Sequence, residues 1–425
     1  MKIYQYPKRE EWNALLQRPV MNVAALEASV RNILVEVKQR GDEAVKQFTQ
    51  QFDKAVIDDV LVKEEEFLTG QQSLDAKLKA AILNAKVNIE TFHKAQLAEP
   101  QVIETMPGVQ CWRKSVGIEK VGLYIPGGSA PLFSTILMLG VPAKLAGCKE
   151  IILCSPPDAA GKLHPAILFA AKATGITKVF KVGGVQAIGA MAYGTDTIPA
   201  VSKIFGPGNQ YVTCAKQLVQ QDGVAIDMPA GPSEVAVYAD NSAHPAFVAA
   251  DLLSQAEHGA DSQVVLVSCD LSLINAIEQE IQKQVQQLPR KEVALQALQN
   301  SKLILVQDEA TAIELLNEYA AEHLIVSCEH PHQLADQVVN AGSVFLGHYS
   351  PESVGDYASG TNHTLPTNGY AKAYSGVSID SFVKKITFQQ LTPEGLQNIS
   401  KTVVAMAEAE GLQAHANAVT VRLAH

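Results

Sequence analysis

Two side chains near residue 255 of this 425-residue chain have the types and the spacing of a metal site. Gln255 and His258 lie three residues apart in the segment DLLSQAEHG, so they share one face of a predicted helix that ends at Gly259. An imidazole and an amide oxygen can both bind a divalent cation. A lone histidine at an exposed helix end is, however, more often a surface residue than a ligand, and this segment leaves both interpretations open.

Two further pairs of titratable residues lie at predicted helix ends. Glu322 and His323 join the helical pattern AIELLNEYAA to the strand pattern LIVSC. Histidine is the most frequent general base near neutral pH, and a carboxylate beside it could activate water. A catalytic pair and a solvated helix end are equally supported by these two residues alone. Glu410 and His415, in the last helical pattern, are typical of a frayed and solvated terminus.

Polar loops supply the remaining candidates. The segment GDYASGTNHTLPT, residues 355–367, is too rich in Gly, Ser, Thr and Asn to be core, and loops of this kind often carry function. Within it, Asp356 offers a hard oxygen ligand for a metal. Two rigid turns, IDMPAGPSE and GPGN, could present Ser233 and Asn209 to a ligand.

Familiar cofactor motifs are missing from the sequence. It contains no H-E-x-x-H, no cysteine quartet and no EF-hand loop. The dinucleotide fingerprint G-x-G-x-x-G is missing as well, because the nearest segments, IPGGSAP and VGGVQAIG, do not match it. The six cysteines are scattered without a C-x-x-C pair, which favours reduced thiols in a cytoplasmic protein.

Composition argues against several classes of function. Hydrophobic residues make up 47% and charged residues 18% of the chain, as in a globular protein with a large core. The formal charge of −10 argues against binding to nucleic acid or to an anionic membrane. The uncharged stretch 121–143 is interrupted by Pro and Gly, so it cannot form one spanning helix. We therefore expect a soluble, cytoplasmic protein.

Alternating strand and helix patterns predict two parallel α/β runs that would position these residues. Residues 22–95 have helical spacing, and the first run begins with VGLYI, the turn PGGSAP and STILMLGVPAKLAG. The second run starts at EVAVYAD and includes predicted helices at about 273–297 and 331–341. Glycines follow three strands of the first run, at 127–128, 183–184 and 206–208. Each glycine alone could simply make a tight turn, but together they predict one binding crevice at the carboxyl ends of the strands.

At these motifs the chain resembles the histidinol dehydrogenases over nearly its whole length. The resemblance is carried by long, irregular segments in the family's order: VGLYIPGGSAPLFSTILMLGVPAKLAGC, VGGVQAIGAMAYGT, KIFGPGN, IDMPAGPSEV, DLLSQAEHG, EHLIV, AGSVFLG, SPESVGDYASGTNHTLPT and AEGLQAHANAVTVR. It implies two incomplete, doubly wound Rossmann-like domains with small terminal segments, in an intertwined homodimer. The expected divisions are an N-terminal segment (1–21), a first α/β domain (22–123 with 234–378), a second (124–233) and a C-terminal helical tail (379–425).

The resemblance also implies individual roles. One zinc ion per subunit would be bound by Gln255, His258, Asp356 and His415. Glu322 and His323 match the family's acid–base pair. Contacts to substrate would be made by Ser233, Gln255, His258, His323, Asp356, His363, Glu410 and His415. Contacts to NAD would be made by Tyr124, Gln186 and Asn209. The sequence matches the family at each of these positions.

The implied activity is the zinc-dependent, NAD-linked oxidation of L-histidinol through L-histidinaldehyde to L-histidine, the last step of histidine biosynthesis. His323 would take the alcohol proton, Glu322 would help water add to the aldehyde, and the tail would lend Glu410 and His415 to the partner subunit. The nearest alternative, a related dehydrogenase of another small alcohol, should differ around Glu410, His363 and His415. A non-catalytic relative that only binds NAD or metal should lack Glu322 or His323, and both are present.

Overall fold

The computed structural model describes residues 1–19, 23–127, 131–229 and 231–424, with only the backbone of residues 23–25. The strands in chain order are β1 Lys2–Gln5, β2 Val102–Met106, β3 Val109–Gly117, β4 Lys120–Tyr124, β5 Glu150–Ser155, β6 Lys178–Lys181, β7 Lys203–Phe205, β8 Ala225–Ile226, β9 Glu234–Ala239, β10 Gln263–Ser268, β11 Lys302–Leu305, β12 His323–Ser327, β13 Ser343–Leu346 and β14 Val383–Leu391.

The helices in chain order are α1 Arg9–Leu15, α2 Val23–Arg40, α3 Asp42–Asp53, α4 Glu64–Ser73, α5 Ala76–Lys94, α6 Phe133–Leu145, α7 Pro165–Ala173, α8 Gly184–Tyr193, α9 Gln210–Gln221, α10 Pro245–Ala256, α11 Leu271–Gln284, α12 Lys291–Gln299, α13 Glu309–Tyr319, α14 Pro331–Ala335, α15 Glu352–Tyr357, α16 Ile379–Phe382, α17 Pro393–Ala409 and α18 Gln413–Leu423. Short 3₁₀ turns lie at Val285–Gln287 and Tyr370–Lys372. Within the described ranges, none of these helices combines the length and the apolar character needed to span a bilayer.

Two parallel sheets share one strand order. The first runs β6-β5-β4-β7-β8, and the second runs β1-β11-β10-β9-β12-β13. Numbered along the chain within each sheet, both follow the doubly wound order 3-2-1-4-5, with β1 added outside β11. The order reverses between β4 and β7 in the first sheet and between β9 and β12 in the second. The predicted pair of doubly wound α/β units is therefore confirmed.

The central strand β9 shows why its sequence forms a buried parallel strand. The run EVAVYA has no exposed residue, as expected where helices cover both faces of a parallel sheet. Successive side chains point to opposite faces. Val235 and Val237 accordingly join one core cluster, and Ala236 and Tyr238 join the cluster on the other face.

The observed packing differs from the predicted grouping of residues 22–123 with 234–378. Side chains of α2 and α5, including Val30 and Ile89, lie in the clusters that cover β4–β8. Trp12 and Leu15 of α1 pack instead against the second sheet. Both faces of a parallel sheet must be covered, and the apolar faces of the N-terminal helices complete that cover for the first sheet. Patterning shows which face of a helix is apolar but not which sheet it covers.

A third, antiparallel sheet joins the C-terminal tail to a much earlier part of the chain. Its order is β14-β3-β2, and β14 pairs with β3 from Val383 opposite Gly117 to Leu391 opposite Val109. Helix α17 packs on α18 and contacts β2 and β14. The predicted tail helix is present, but its structural unit also includes the strands at 102–117, which the sequence analysis did not predict.

Candidate active site

Glu322 and His323 are both held by the backbone of one residue, Glu234, on the neighbouring strand β9. His323 begins β12, and its Cα partner on β9 is Val235. The backbone N–H of Glu234 donates to Glu322 Oε2 at 2.9 Å, and the carbonyl oxygen of Glu234 lies 3.1 Å from His323 Nδ1. A carbonyl can only accept, so His323 Nδ1 carries a hydrogen. This contact fixes the ring orientation and directs Nε2 away from β9.

Buried charges shift the pKa of both members of this pair. Burial raises the pKa of Glu322 to about 8, because the charged form loses its hydration. Burial lowers the pKa of His323, but the carboxylates of Glu322 and Asp356 outweigh that effect and raise it above the ordinary value. The protonation of Glu322 therefore depends on that of His323, unlike the protonation of two separate, exposed groups.

Asp356 and His363 extend the site from the loop side. Asp356, predicted to lie in a polar loop, lies instead in the short helix α15, and its Oδ1 is 3.2 Å from His323 Nε2. His363 Nδ1 lies 2.8 Å from the carbonyl oxygen of Asp356, and its Nε2 lies 3.0 Å from the hydroxyl of Thr135. Thr135 belongs to α6, which packs on the first sheet. The site thus lies where the two α/β units meet.

Gln255 and His258 lie at and just beyond the end of α10. Gln255 is 1% exposed, and its Nε2 donates to Glu352 Oε1 at 3.1 Å. Glu352 and Asp356 are four residues apart on α15 and so share a helix face. Burial lowers the pKa of His258, whereas the nearby Asp356 and Glu352 carboxylates act to raise it. Gln255, His258 and Asp356 are therefore brought to one region.

The donor atoms of this region fit a divalent cation. Gln255 Oε1 is buried and has no hydrogen-bond partner among the described residues, although a buried polar atom is normally satisfied. An amide oxygen, an imidazole and a carboxylate are suitable ligands for zinc. No three His, Cys, Asp or Glu side chains converge within the described ranges. His415 therefore does not join His258 and Asp356 within one chain.

Glu410 and His415 lie on the C-terminal unit. Glu410 caps the end of α17, and His415 lies in the first turn of α18. Both are exposed. The two residues do not complete the site of their own chain.

The expected NAD contacts lie together in another crevice. Tyr124 ends β4, Gln186 lies in α8, and Asn209 caps α9 after β7. Strands β4 and β7 are neighbours at the reversal of strand order, where open α/β sheets bind ligands. All three residues line a cavity of about 1280 Å³, together with Gly127 and Gly184. The three predicted strand ends thus reach one cavity, the first two through Gly127 and Gly184 and the third through Asn209. Gly183, Gly206 and Gly208 are not among its lining residues, and Gly128 falls outside the described residues.

Hydrogen bonding in this cavity leaves groups free for a ligand. The Tyr124 hydroxyl accepts from the Gly184 N–H at 3.1 Å. Asn209 Oδ1 caps α9 by accepting from the N–H groups of Tyr211 and Val212 at 3.0 and 3.2 Å. Both amide atoms of Gln186 are buried without a hydrogen-bond partner in the described part of the chain. These free polar groups fit a nucleotide-sized ligand.

The residues that orient the Glu322–His323 pair were not predicted from the sequence. Ser233 was proposed as a substrate contact and is half-buried, but the backbone that orients Glu322 and His323 belongs to its neighbour Glu234. Glu234 is also buried, and Arg18 donates to both of its carboxylate oxygens at 2.6 and 2.9 Å. The only signal for this pair in the sequence is a charged residue at the start of an otherwise apolar strand.

Comparison with known proteins agrees with this architecture. Residues 16–423 match the sequence model of the histidinol dehydrogenase family. Histidinol dehydrogenase of Bacteroides thetaiotaomicron is 59% identical over 423 residues, which cover 100% of this chain and 99% of that protein. The Yersinia pestis protein of the same name is 50% identical over 423 residues, covering 99% of this chain and 95% of its own.

A solved structure extends the agreement to three dimensions. The crystal structure of histidinol dehydrogenase from Elizabethkingia anophelis has a TM-score of 0.98 and 54% sequence identity, and covers 100% of this chain and 98% of its own. Similarity of this extent spans both α/β units and the C-terminal unit. The chain therefore belongs to the histidinol dehydrogenase family.

Proposed function

We propose that the protein oxidises L-histidinol through L-histidinaldehyde to L-histidine, the last step of histidine biosynthesis, with zinc and NAD. The observation that carries this proposal is the buried Glu322–His323 pair beside Asp356, at a site where Gln255 has a free amide oxygen. The family's name supports the choice of substrate. The free amide of Gln186 in the crevice at β4 and β7 supports the choice of a dinucleotide.

The proposed zinc ligands are Gln255, His258 and Asp356 of one chain and the partner subunit's His415. When bound, zinc would fix the orientation of the substrate by accepting its imidazole and amino nitrogens as ligands. Ser233, His363 and the partner subunit's Glu410 would add polar contacts to the substrate. Together these side chains would hold the alcohol carbon beside His323.

His323 would take the hydroxyl proton in the first oxidation. Its Nδ1 contacts the carbonyl of Glu234, and its Nε2 lies 3.2 Å from Asp356 Oδ1. Once Asp356 is bound to zinc, Nε2 would be the nitrogen free to accept that proton. Bound NAD would accept a hydride in each of the two oxidations. The cavity that contains Tyr124, Gln186 and Asn209 would hold the dinucleotide.

Glu322 would act in the second oxidation, when water must add to the aldehyde. Its raised pKa of about 8 makes its ionised form a stronger base than an ordinary carboxylate. As Glu322 removes a proton from water, the water oxygen would bond to the aldehyde carbon, and the carbonyl oxygen would take up a proton to give the hydrate. The hydrate can then lose a hydride to NAD and a proton to form the carboxylic acid. Glu322 is buried beside His323, so both proton transfers would occur in the same pocket without release of the aldehyde.

Turnover of histidinol with measurement of the NADH yield tests this proposal. We expect about two NADH per histidinol consumed, because each oxidation removes two electrons. A yield of one, with accumulating aldehyde, would contradict the four-electron scheme. Faster turnover of another amino alcohol, or of a diol, would show that this compound and not histidinol is the preferred substrate.

Replacing Glu322 by Gln should separate the two steps. We expect the rate with histidinaldehyde as substrate to fall by about 10²–10³, since the amide cannot take a proton from water. The first oxidation of histidinol should fall less. The matched control is Glu318→Gln, at an exposed position on α13. Equal losses in both steps would argue against a separate role for Glu322 in hydration.

Replacing Glu352 by Ala should weaken zinc binding. Glu352 is 1% exposed and holds the Gln255 amide through Nε2, which leaves Oε1 free to bind the metal. Loss of an outer partner of a metal ligand typically costs about 10–100-fold in affinity. Competition with a chelator would measure the zinc Kd, with exposed Glu329→Ala as the control. An unchanged Kd would show that the Gln255 amide does not depend on Glu352.

We further propose that the functional unit is a homodimer in which each C-terminal unit completes the partner's site. One chain supplies only part of the proposed ligand set. The C-terminal unit also exposes large apolar side chains, namely Ile103, Phe388, Met406 and Val421. Such exposed apolar surface is typical of an interface. The cysteines are all free, which supports a cytoplasmic location for this assembly.

A further inference from the structure

The cavity around Gln186 contains a carboxylate that the proposed reaction does not use. Asp53 is the last residue of α3 and lines the same cavity as Tyr124, Gln186 and Asn209. Its Oδ2 is buried and has no hydrogen-bond partner among the described residues. A buried carboxylate oxygen without a donor is unfavourable. Asp53 therefore has an unsatisfied acceptor on the wall of the proposed dinucleotide site.

Asp53 lines the same cavity as Tyr124 and as Gly184, the first residue of α8. Burial, and to a smaller degree the Asp53 carboxylate, raises the pKa of Tyr124 to about 12. The Tyr124 hydroxyl in turn accepts from the N–H of Gly184, two residues before Gln186. Asp53 and Tyr124 thus line one cavity, where a single extended ligand can contact both.

One oxygen of another carboxylate in the cavity, that of Asp158, is already hydrogen-bonded. In Rossmann folds a carboxylate near the end of the second strand commonly binds the ribose 2′-hydroxyl. Here that strand is β5, and its end is followed by Pro156, Pro157 and Asp158. Asp158 Oδ1 accepts the backbone N–H groups of Ala160 and Lys162, both at 2.9 Å. Asp158 Oδ1 thus stabilises its own turn, whereas Asp53 Oδ2 is buried without a hydrogen-bond partner among the described residues.

The charge of the cavity favours a hydroxyl over a phosphate at this point. Its lining carries the carboxylates of Asp53, Glu65, Glu66 and Asp158, against Lys162 and His164. Glu66 of this lining is paired with Lys181 at 3.2 Å. A hydroxyl can donate to a carboxylate, whereas a phosphate group would be repelled by it.

We infer that Asp53 accepts a hydrogen bond from the 2′-hydroxyl of the adenosine ribose and so makes the enzyme select NAD over NADP. This inference rests on the NAD dependence proposed above. NADP carries a phosphate on that oxygen, so it loses the donor and brings negative charge towards Asp53. Asp53 would therefore favour the binding of NAD and oppose the binding of NADP.

The test is a binding measurement that needs no turnover. Three ligands are titrated by fluorescence: NADH, NADPH, and NADH that lacks the 2′-hydroxyl of the adenosine ribose. The zinc-loaded proteins are the wild type, Asp53→Asn and the control Asp59→Asn, which makes the same charge change at an exposed position. We expect Asp53→Asn to weaken NADH binding by about 10-fold or more, as for loss of a hydrogen bond to a charged group. The ratio of the Kd for NADPH to the Kd for NADH should fall by at least the same factor.

The deoxy nucleotide isolates the proposed contact. Removing the 2′-hydroxyl should weaken binding to the wild type and to Asp59→Asn, but should have little further effect in Asp53→Asn. Equal losses in the wild type and in Asp53→Asn would overturn the inference, as would unchanged NADH and NADPH affinities in the variant. A folded wild type that binds neither dinucleotide would instead overturn the proposed NAD dependence, and this inference with it.

Discussion

Replacing His323 by Asn is expected to lower kcat for histidinol oxidation by about 10²–10⁴ while bound zinc stays at the wild-type level. Asparagine can still donate to the Glu234 carbonyl, which His323 Nδ1 now contacts at 3.1 Å. It cannot accept the alcohol proton, so the first oxidation loses its base. His323 is not among the proposed metal ligands, and the metal should therefore remain.

Turnover and metal content must be measured on the same preparation. Metal analysis by mass spectrometry gives zinc per subunit, and NADH absorbance gives kcat and KM. The matched control is His332→Asn, at an exposed position on α14, which should leave both values unchanged. A kcat near that of the wild type would remove His323 as the base. Loss of zinc with loss of turnover would mean that His323 acts through the metal site instead.

Mixing two inactive variants is expected to restore activity if sites are completed across the dimer. If His415 comes from the partner subunit, as proposed, a heterodimer of His323→Asn and His415→Ala would combine both defects in one site and leave the other site with neither. Random association of equal amounts makes half of the dimers mixed, so about a quarter of all sites become intact. We expect kcat of the mixture to reach about that fraction of wild type.

The same mixture distinguishes the alternative in which each chain completes its own site. Every site of the heterodimer would then carry one defect, and activity would stay at the level of the parent variants. Co-expression with two affinity tags isolates the heterodimer and removes the dependence on random association. Activity of the pure heterodimer at about half of the wild-type value is the expected result.

The sequence predicted the elements whose patterns are set locally. The runs VGLYI and EVAVYAD predict strands, and β4 and β9 form the buried centres of the two parallel sheets. The helix expected at 273–297 is instead divided into α11, a 3₁₀ turn and α12. Pro289 lies in that break and cannot donate the backbone hydrogen bond that a continuous helix needs. This signal was present in the sequence.

Other differences depend on contacts between distant residues. The helix expected at 331–341 ends at Ala335, because the side chain of Asn317 accepts from the N–H groups of Val339 and Asn340 at 2.8 and 3.2 Å. These bonds hold the backbone in a form other than helix. The strands of the third sheet are largely exposed, β2 along its whole length. An exposed strand lacks the alternation of buried and exposed residues that predicts it.

The candidate site was predictable only as separate pieces. Local sequence indicated a polar loop around Asp356 and an imidazole at the end of α10, and resemblance to the family assigned their roles. Glu234, which orients Glu322 and His323, and Glu352, which holds Gln255, are single carboxylates 118 positions apart in the chain. No local pattern identifies them, because their partners come from other strands and helices.

The central claim is that one zinc ion is shared by three side chains of one subunit and one of its partner. Anomalous diffraction at the zinc edge, from crystals grown with zinc and histidinol, tests it most directly. The expected result is one ion per subunit about 2.0–2.2 Å from Gln255 Oε1, a His258 ring nitrogen, an Asp356 oxygen and the partner subunit's His415. An ion bound elsewhere, or no ion among these four side chains, would contradict it.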